Sequence, residues 1–279
     1  MDQPQKIRIS LNEHPAEVFR GSTAGDVRKR VKAGADLVIV NGFPAEPGLV
    51  LREGDHVVLI QRGETPSREE LEGLMAARHT PGVHERMKAA AVGIAGLGGL
   101  GSIVATALAR LGVGTLVLAD FDLVEPSNLN RQQYSVRHIG TKKVDAMAEQ
   151  LAAVNPYVHV AAHDVILTAE NIPLVFENVQ VLVECLDRAE AKAMLLAAAS
   201  DLLPDAYIIG ASGVAGYGAS NEIRTERLGE RIFMVGDMIS AAEPGRGLMA
   251  PRVGIAAHHQ ANLVVSLLMG EAYELVPTH

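Results

Sequence analysis

The sequence predicts an α/β protein: a doubly wound, mainly parallel sheet preceded by a small β-rich unit. Three observations carry that prediction. From Ala91 onward, short apolar runs alternate with helix-length segments across short links, the order that gives parallel strands joined by helical crossovers. A glycine-rich turn, Gly96-Leu97-Gly98-Gly99-Leu100-Gly101, stands between the first such run and the first such helix. Ahead of them, the first 63 residues follow a separate pattern that opens at period two.

Composition narrows the class. The 279 residues allow one or two domains, and 48% hydrophobic with 21% charged residues excludes disorder, collagen and coiled coil. Twenty-five basic and 33 acidic residues leave a net charge of −8, which argues against nucleic acid as the main partner. Cys185 is the only cysteine, so neither an internal disulfide nor a Cys-x-x-Cys zinc site can form. With the polar start Met1-Asp2-Gln3-Pro4, this cysteine usage reads as cytoplasmic. The uncharged stretch Ala89 to Ala109 matches a membrane span in length, but its five glycines make it a buried strand, turn and helix instead. No membrane association is expected.

In order along the chain, Lys6 to Leu11 alternates as a half-buried strand, and Ala16 to Phe19 can return against it. Thr23 caps a helix over Ala24 to Ala33, with Val27 and Val31 on one face. Leu37 to Val40 and His56 to Gln61 are strands bounded by Asn41-Gly42 and Gly54-Asp55. That order is expected of a ubiquitin-like β-grasp over residues 1–63. Residues 64–88 form a linker and helical segment, with a helix Arg68 to Arg78 and a break at Thr80-Pro81-Gly82. Residues 89–279 form the third part. Its strands are expected at 91–95, 115–119, 157–161, 179–185, 207–209 and 232–235, and its helices from the glycine turn to 111 and at 141–153, 169–176, 188–203 and 251–269.

The glycine turn suits phosphate, because backbone N–H groups that a Cβ would shield become approachable at a helix N-terminus. Asp120 ends the next strand, 19 residues after Gly101, where an acidic side chain commonly accepts from ribose. Those features alone fit a nucleotide of unspecified kind, including the cofactor of a nicotinamide-dependent dehydrogenase. Arg131 and Lys143 add cations that a triphosphate needs more than a dinucleotide does. Asp187, at the carboxyl end of a strand, offers one hard oxygen ligand, enough for Mg²⁺ beside phosphate.

Two resemblances follow from these residues. Val40-Asn41-Gly42 with Leu51-Arg52-Glu53-Gly54-Asp55-His56-Val57-Val58-Leu59 resembles the second half of ThiS-type and MoaD-type sulfur carriers. Those carriers end in a free Gly-Gly carboxylate, whereas this unit continues through Gln61-Arg62-Gly63-Glu64. Residues 78–270 resemble the ThiF/MoeB/HesA family, relatives of the ubiquitin-activating enzymes. The glycine turn, Asp120-Phe121-Asp122, Ser127-Asn128-Leu129-Asn130-Arg131-Gln132, Gly140-Thr141-Lys142-Lys143-Val144 and Asp187 occur in the family's order. The ThiF subgroup is the nearest match through Gly247-Leu248-Met249-Ala250-Pro251-Arg252-Val253-Gly254-Ile255-Ala256-Ala257.

The resemblance implies a Rossmann-like adenylation domain that uses ATP and Mg²⁺ to activate a carrier's C-terminal glycine, with pyrophosphate released. It implies phosphate contact at Gly99, ribose at Asp120, triphosphate at Ser127, Asn128 and Arg131, and cofactor binding also at Gly96, Gly98, Gly101 and Gln132. Lys143 is implied near the α-phosphate and Asp187 at Mg²⁺, while Asp122 either touches ligand or braces its loop. Arg131, Lys143 and Asp187 are the implied catalytic set. The implied partners are a ThiS-like carrier for thiamine thiazole synthesis, an external sulfur donor and a second copy of the chain. A MoaD-like carrier for molybdopterin synthesis, and a non-catalytic carrier-binding scaffold, remain open as alternatives.

The sequence departs from the family in several places. No Cys-x-x-Cys pair exists, and residues 236–250 contain no thiol, so Cys185 is expected to be a core residue. The N-terminal Arg-Tyr-x-Arg-Gln segment that reaches a partner's site is missing, and Arg78 or Arg86 is the available substitute. His258-His259 is not expected to bind metal, since helical neighbours point about 100° apart. The basic run Arg28 to Lys32 reads as a solvated helix face. A carrier-like unit without its terminal glycines could dock where carriers dock, or join two copies.

Overall fold

The computed structural model describes residues 5–271; the polar run at residues 1–4 lies outside them. The chain divides into two compact units, Met1–Pro81 and Gly82–His279.

In the first unit, β1 (Lys6–Leu11) and β2 (His14–Phe19) form a hairpin whose turn residues Asn12 and Glu13 take positive φ. Thr23 caps α1 (Ala24–Val31) in a reciprocal box with Asp26, which satisfies two orphan N–H donors. β3 (Leu37–Val40), β4 (Phe43–Pro44) and β5 (His56–Ile60) complete a sheet of order β2-β1-β5-β3-β4, with β5 parallel to β1. Ile7, Ile9, Val18, Val27, Val38, Val40, Val57 and Leu59 are buried between sheet and helix. This is the β-grasp arrangement. β4 has only two residues, too few for a periodic signal.

Beyond β5 the chain is tied back onto its own unit. The Arg62 N–H donates to Asp36 Oδ2 at 2.7 Å, and Lys32 Nζ lies 2.6 Å from Glu64 Oε2. Ser67 then caps α2 (Arg68–Ala76), and Arg78 Nη2 is 2.6 Å from Glu13 Oε1.

The second unit opens with α3 (Val83–Ala89), which sequence reading missed because Pro81-Gly82 signals a break; Gly82 instead serves as the left-handed N-cap. There follow β6 (Ala91–Ala95), α4 (Gly99–Arg110), β7 (Thr115–Asp120), α5 (Lys143–Val154) and β8 (His159–Asp164). Next come α6 (Ile172–Val175), β9 (Val181–Glu184), α7 (Ala189–Leu202) and β10 (Tyr207–Ala211). β11 (Arg224–Arg227), β12 (Ile232–Gly236) and α8 (Ala250–Met269) close the unit.

The sheet order is β11-β12-β10-β9-β6-β7-β8, parallel except for β11. One apolar cluster joins the sheet to α4, α5 and α8, and a second joins it to α6 and α7, so helices cover both faces. This is the doubly wound, Rossmann-like fold. β8 starts two residues later than expected, because Asn155 Nδ2 caps the Ala109 carbonyl while its Oδ1 takes the Tyr157 N–H. α6 is shorter than the expected 169–176, and β11, a polar edge strand without an apolar run, went unpredicted. No described helix is long and apolar enough to cross a membrane.

Candidate active site at the glycine turn

β6 delivers the glycine turn at the carboxyl edge of the parallel sheet, where open α/β sheets bind ligands. Gly96 takes φ +91°, and a Cβ there would stand 2.8 Å from the Cys185 carbonyl oxygen of β9's end. A Cβ on Gly101 would overlap the Gly96 carbonyl itself, so the turn closes only with glycine at both positions. Gly98 and Gly99, both half-buried, form its open side.

Two side chains converge over that open side. The Arg131 stem lies above Gly99, its Cγ 3.5 Å from the place of a Cβ, and Gln132 Nε2 is 3.8 Å from the same point on Gly98. Arg131 Nη1 donates to Asn130 Oδ1 at 2.8 Å and to the Ser127 carbonyl at 3.4 Å. Its Nε is buried with no partner, as is Gln132 Oε1. Unmet buried polar groups are costly, and where several face one cleft they indicate a ligand that completes them.

Asp120 ties the turn to the next strand. Its Oδ2 accepts from the Leu97 N–H at 2.6 Å and its Oδ1 from the Asp122 N–H at 2.8 Å. Burial pushes its pKa above the ordinary carboxylate value, against the opposing pull of Lys143 and both N–H groups. Lys143, at the start of α5, is buried, with Nζ 2.7 Å from Asp122 Oδ2. Asp122 therefore braces Lys143 in this structure. Tyr134, absent from the sequence-based set, donates its hydroxyl to the Leu97 carbonyl at 2.8 Å and so fastens the loop to the turn; burial raises its phenol pKa. An aromatic within a polar loop was its only sequence signal.

The remaining expected residues divide. Asn128 is buried and spends its Oδ1 on the Glu125 N–H, while Ser127 Oγ donates to Glu125 Oε2. Both hold the short turn that aims Arg131. Asp187 is exposed two residues past Cys185. No group of three or more metal-binding side chains exists among the described residues, so a divalent ion here would depend on one carboxylate plus phosphate oxygens.

The other candidates resolve simply. Cys185 is buried, and burial pushes its thiol pKa well up, which suits a core residue rather than a nucleophile. His258 is exposed while His259 is half-buried, its pKa lowered by burial. Arg78 is committed to Glu13, and Arg86 is exposed on α3. A cavity of about 280 Å³ lies among Tyr207, Arg227, Phe233, Leu267 and Glu271, and none of the residues discussed above lines it.

Comparison with known proteins agrees with this architecture. Residues 73–278 match the ThiF family, and residues 7–63 match ThiS-like ubiquitin. "Ubiquitin-like modifier-activating enzyme 5" of Drosophila grimshawi is 33% identical over 159 residues, covering 53% of this chain and 39% of that protein. "Adenylyltransferase and sulfurtransferase uba4" of Aspergillus niger is 40% identical over 111 residues, 39% of this chain and 23% of that one. The chain thus spans about two fifths or less of these relatives' length. The E. coli tRNA N6-threonylcarbamoyladenosine dehydratase TcdA, solved with AMP, shares the fold at TM-score 0.67 and 21% identity, covering 76% of this chain and all of that one. With a glycine turn, a buried lysine and an arginine in register, and a family match over most of its length, the chain belongs to the ThiF family and carries a ThiS-like ubiquitin unit ahead of that domain.

Proposed function

We propose that this protein adenylates the C-terminal glycine carboxylate of a separate ThiS-like sulfur carrier, as a step in thiamine thiazole synthesis. The carboxylate attacks the α-phosphorus of ATP, the bond to the bridging oxygen breaks, and pyrophosphate leaves with that electron pair. Bringing an anion to an anion needs fixed positive charge, and charge grows on the leaving group. Arg131 over the glycine turn, and Lys143 held by Asp122 near Asp120, supply that charge. Asp120 and the turn's backbone hold the nucleotide, and Asp187 with phosphate oxygens would hold Mg²⁺, which offsets further negative charge.

The observation that carries this reading is the Arg131 side chain over Gly99 with its Nε buried and unmatched. The carrier acts in trans on this reading, because the chain's own ThiS-like unit runs on past Gly63 into α2. Without a thiol in residues 236–250, the acyl adenylate passes directly to an external sulfur donor. A homodimer is the proposed assembly.

Mass spectrometry of ThiS-type and MoaD-type carriers after incubation with the protein and ATP-Mg²⁺ tests the proposal. An added AMP on the ThiS-type carrier is expected; AMP on the MoaD-type carrier alone would move the reaction to molybdopterin synthesis. Carriers unchanged by the protein would overturn the reading, and NADH bound in preference to ATP would replace it with a dehydrogenase.

A further inference from the structure

A second polar cluster lies at the carboxyl end of β10 and β12, and the proposed chemistry does not use it. Arg252, in the otherwise apolar first turn of α8, is 3% exposed. Its Nη2 is 2.6 Å from Asp237 Oδ2 and 3.5 Å from Glu222 Oε2, and its Nη1 donates to the Ala219 carbonyl at 3.0 Å. Its Nε is buried without a partner. Asp237 also accepts from the Ile239 and Ser240 N–H groups and the Ser240 hydroxyl.

Around this pair two loops are laced together. The Asp237 N–H donates to the Gly213 carbonyl at 3.0 Å, Ala215 N–H to Ser240 at 3.2 Å, and Gly216 N–H to Gly247 at 2.8 Å. Segments 212–222 and 237–249 therefore make one wall. The next residue of α8, Val253, reaches the glycine turn: its Cγ1 is 2.9 Å from where a Cβ of Gly99 would stand, beside the Arg131 stem. The same wall leaves Tyr217 and Ile239 88% and 84% exposed.

A buried ion pair is poor value for stability alone, since apolar residues of similar volume do as well. Its better-attested use is to fix one arrangement. We propose that Arg252 is a positioning residue, clamping the two loops with Asp237 into a wall on which a ubiquitin-like carrier packs through Tyr217 and Ile239. This rests on the adenylation reading, which requires a folded carrier to bring its end to the glycine turn. β10 lies directly beside β9, which leads to Asp187, and β12 lies on the other side of β10; with Val253 of α8 against Gly99, the wall borders that turn.

The chain's own ThiS-like unit shows what such a carrier offers. Leu37 pairs with Ile60 and Ile39 with Val58, all four half-buried on the sheet face away from the buried Val38, Val40, Val57 and Leu59. An aromatic and an aliphatic side chain fit that apolar face.

The test uses the full chain, a ThiS-type carrier with intact Gly-Gly, titration calorimetry and ATP–pyrophosphate exchange. Tyr217→Ser, on the surface, should weaken carrier binding and raise the carrier KM about tenfold, with ATP affinity unchanged. Arg252→Met with Asp237→Asn removes both charges yet keeps the Asn acceptor for the two N–H groups. It should raise the carrier KM similarly and quicken hydrogen exchange in both loops together, and Arg252→Lys should restore much of the affinity. Carrier affinity at the wild-type level in Tyr217→Ser or in the double variant overturns the proposal. Wild-type protein that binds the carrier without forming an adenylate overturns the adenylation reading instead.

Discussion

Two lysines meet carboxylates at the carboxyl edge of the parallel sheet, in unlike surroundings. Lys192 on α7 donates to both oxygens of Glu184, at 2.9 and 3.0 Å, and to the Ala211 carbonyl at 3.1 Å. Glu184 is fully buried and also accepts from the Leu186 and Ala211 N–H groups, so its polar shell is complete. Burial still raises its pKa against Lys192's pull. Lys143 faces Asp122, whose side chain is 47% exposed, and over the glycine turn Arg131 Nε and Gln132 Oε1 have no partner. A closed polar shell belongs to the frame, whereas an open one belongs to a ligand.

The largest effect should come from breaking the closed shell. Lys192→Met leaves Glu184 buried without its cation, and stability should fall by about 3–5 kcal/mol. Adding Glu184→Gln should recover part of that loss, which urea unfolding of both variants would measure. Full stability in Lys192→Met would put the two lysines in one class. On the open side, Arg131→Ala and Asp187→Ala should each lower carrier-dependent adenylation about 10²-fold, or roughly 2.7 kcal/mol, with little change in melting temperature. ATP–pyrophosphate exchange reads that outcome; near-normal exchange in Asp187→Ala would remove it from the site.

How far the sequence reveals this contrast depends on which residues carry a motif. The glycine turn, Asp120, Arg131 and Lys143 are legible because they fall in motifs of recurring spacing, and the alternating strands and helices place them. Asp122 could be read as ligand or brace, and only the fold pairs it with Lys143. Glu184, Lys192, Asp237 and Arg252 escape notice because their partners are 8 and 15 residues away with no recurring spacing. An arginine in an apolar helix turn was the one available hint. β11 and β4 were invisible for a simpler reason, having no apolar run of useful length.

Asp237 sharpens the contrast through pH. Burial alone would raise its pKa, but the bonds from Ser240, Ile239 and Arg252 prevail and hold it well below the usual carboxylate range. A carboxyl with a depressed folded pKa stabilises the protein above its unfolded pKa of about 3.9 and loses that contribution as pH falls further. Acid unfolding of Asp237→Asn should accordingly show a shallower loss of stability below about pH 4 than wild type. Equal acid slopes would mean that the cluster is not held by an ionised Asp237.

The smallest effect belongs to a third lysine, in the ThiS-like unit. Lys32 binds Glu64 at 2.6 Å, with Glu70 3.8 Å away, but Glu64 is 38% exposed, so water competes for the pair. Its ammonium pKa is raised, chiefly by the bond to Glu64. A raised folded pKa gives stability that is complete below about pH 10.4 and lost as pH rises through the folded value. Lys32→Ala should therefore cost about 0.5–1 kcal/mol at neutral pH, and less in strong alkali, where the wild-type lysine is itself neutral. Because Glu64 follows the position where a carrier would end, that small loss should appear as faster trypsin cleavage at Arg62 rather than as unfolding of the β-grasp. Unchanged cleavage would mean that the backbone bond from Arg62 to Asp36, and not the ion pair, keeps this end from behaving like a carrier's tail.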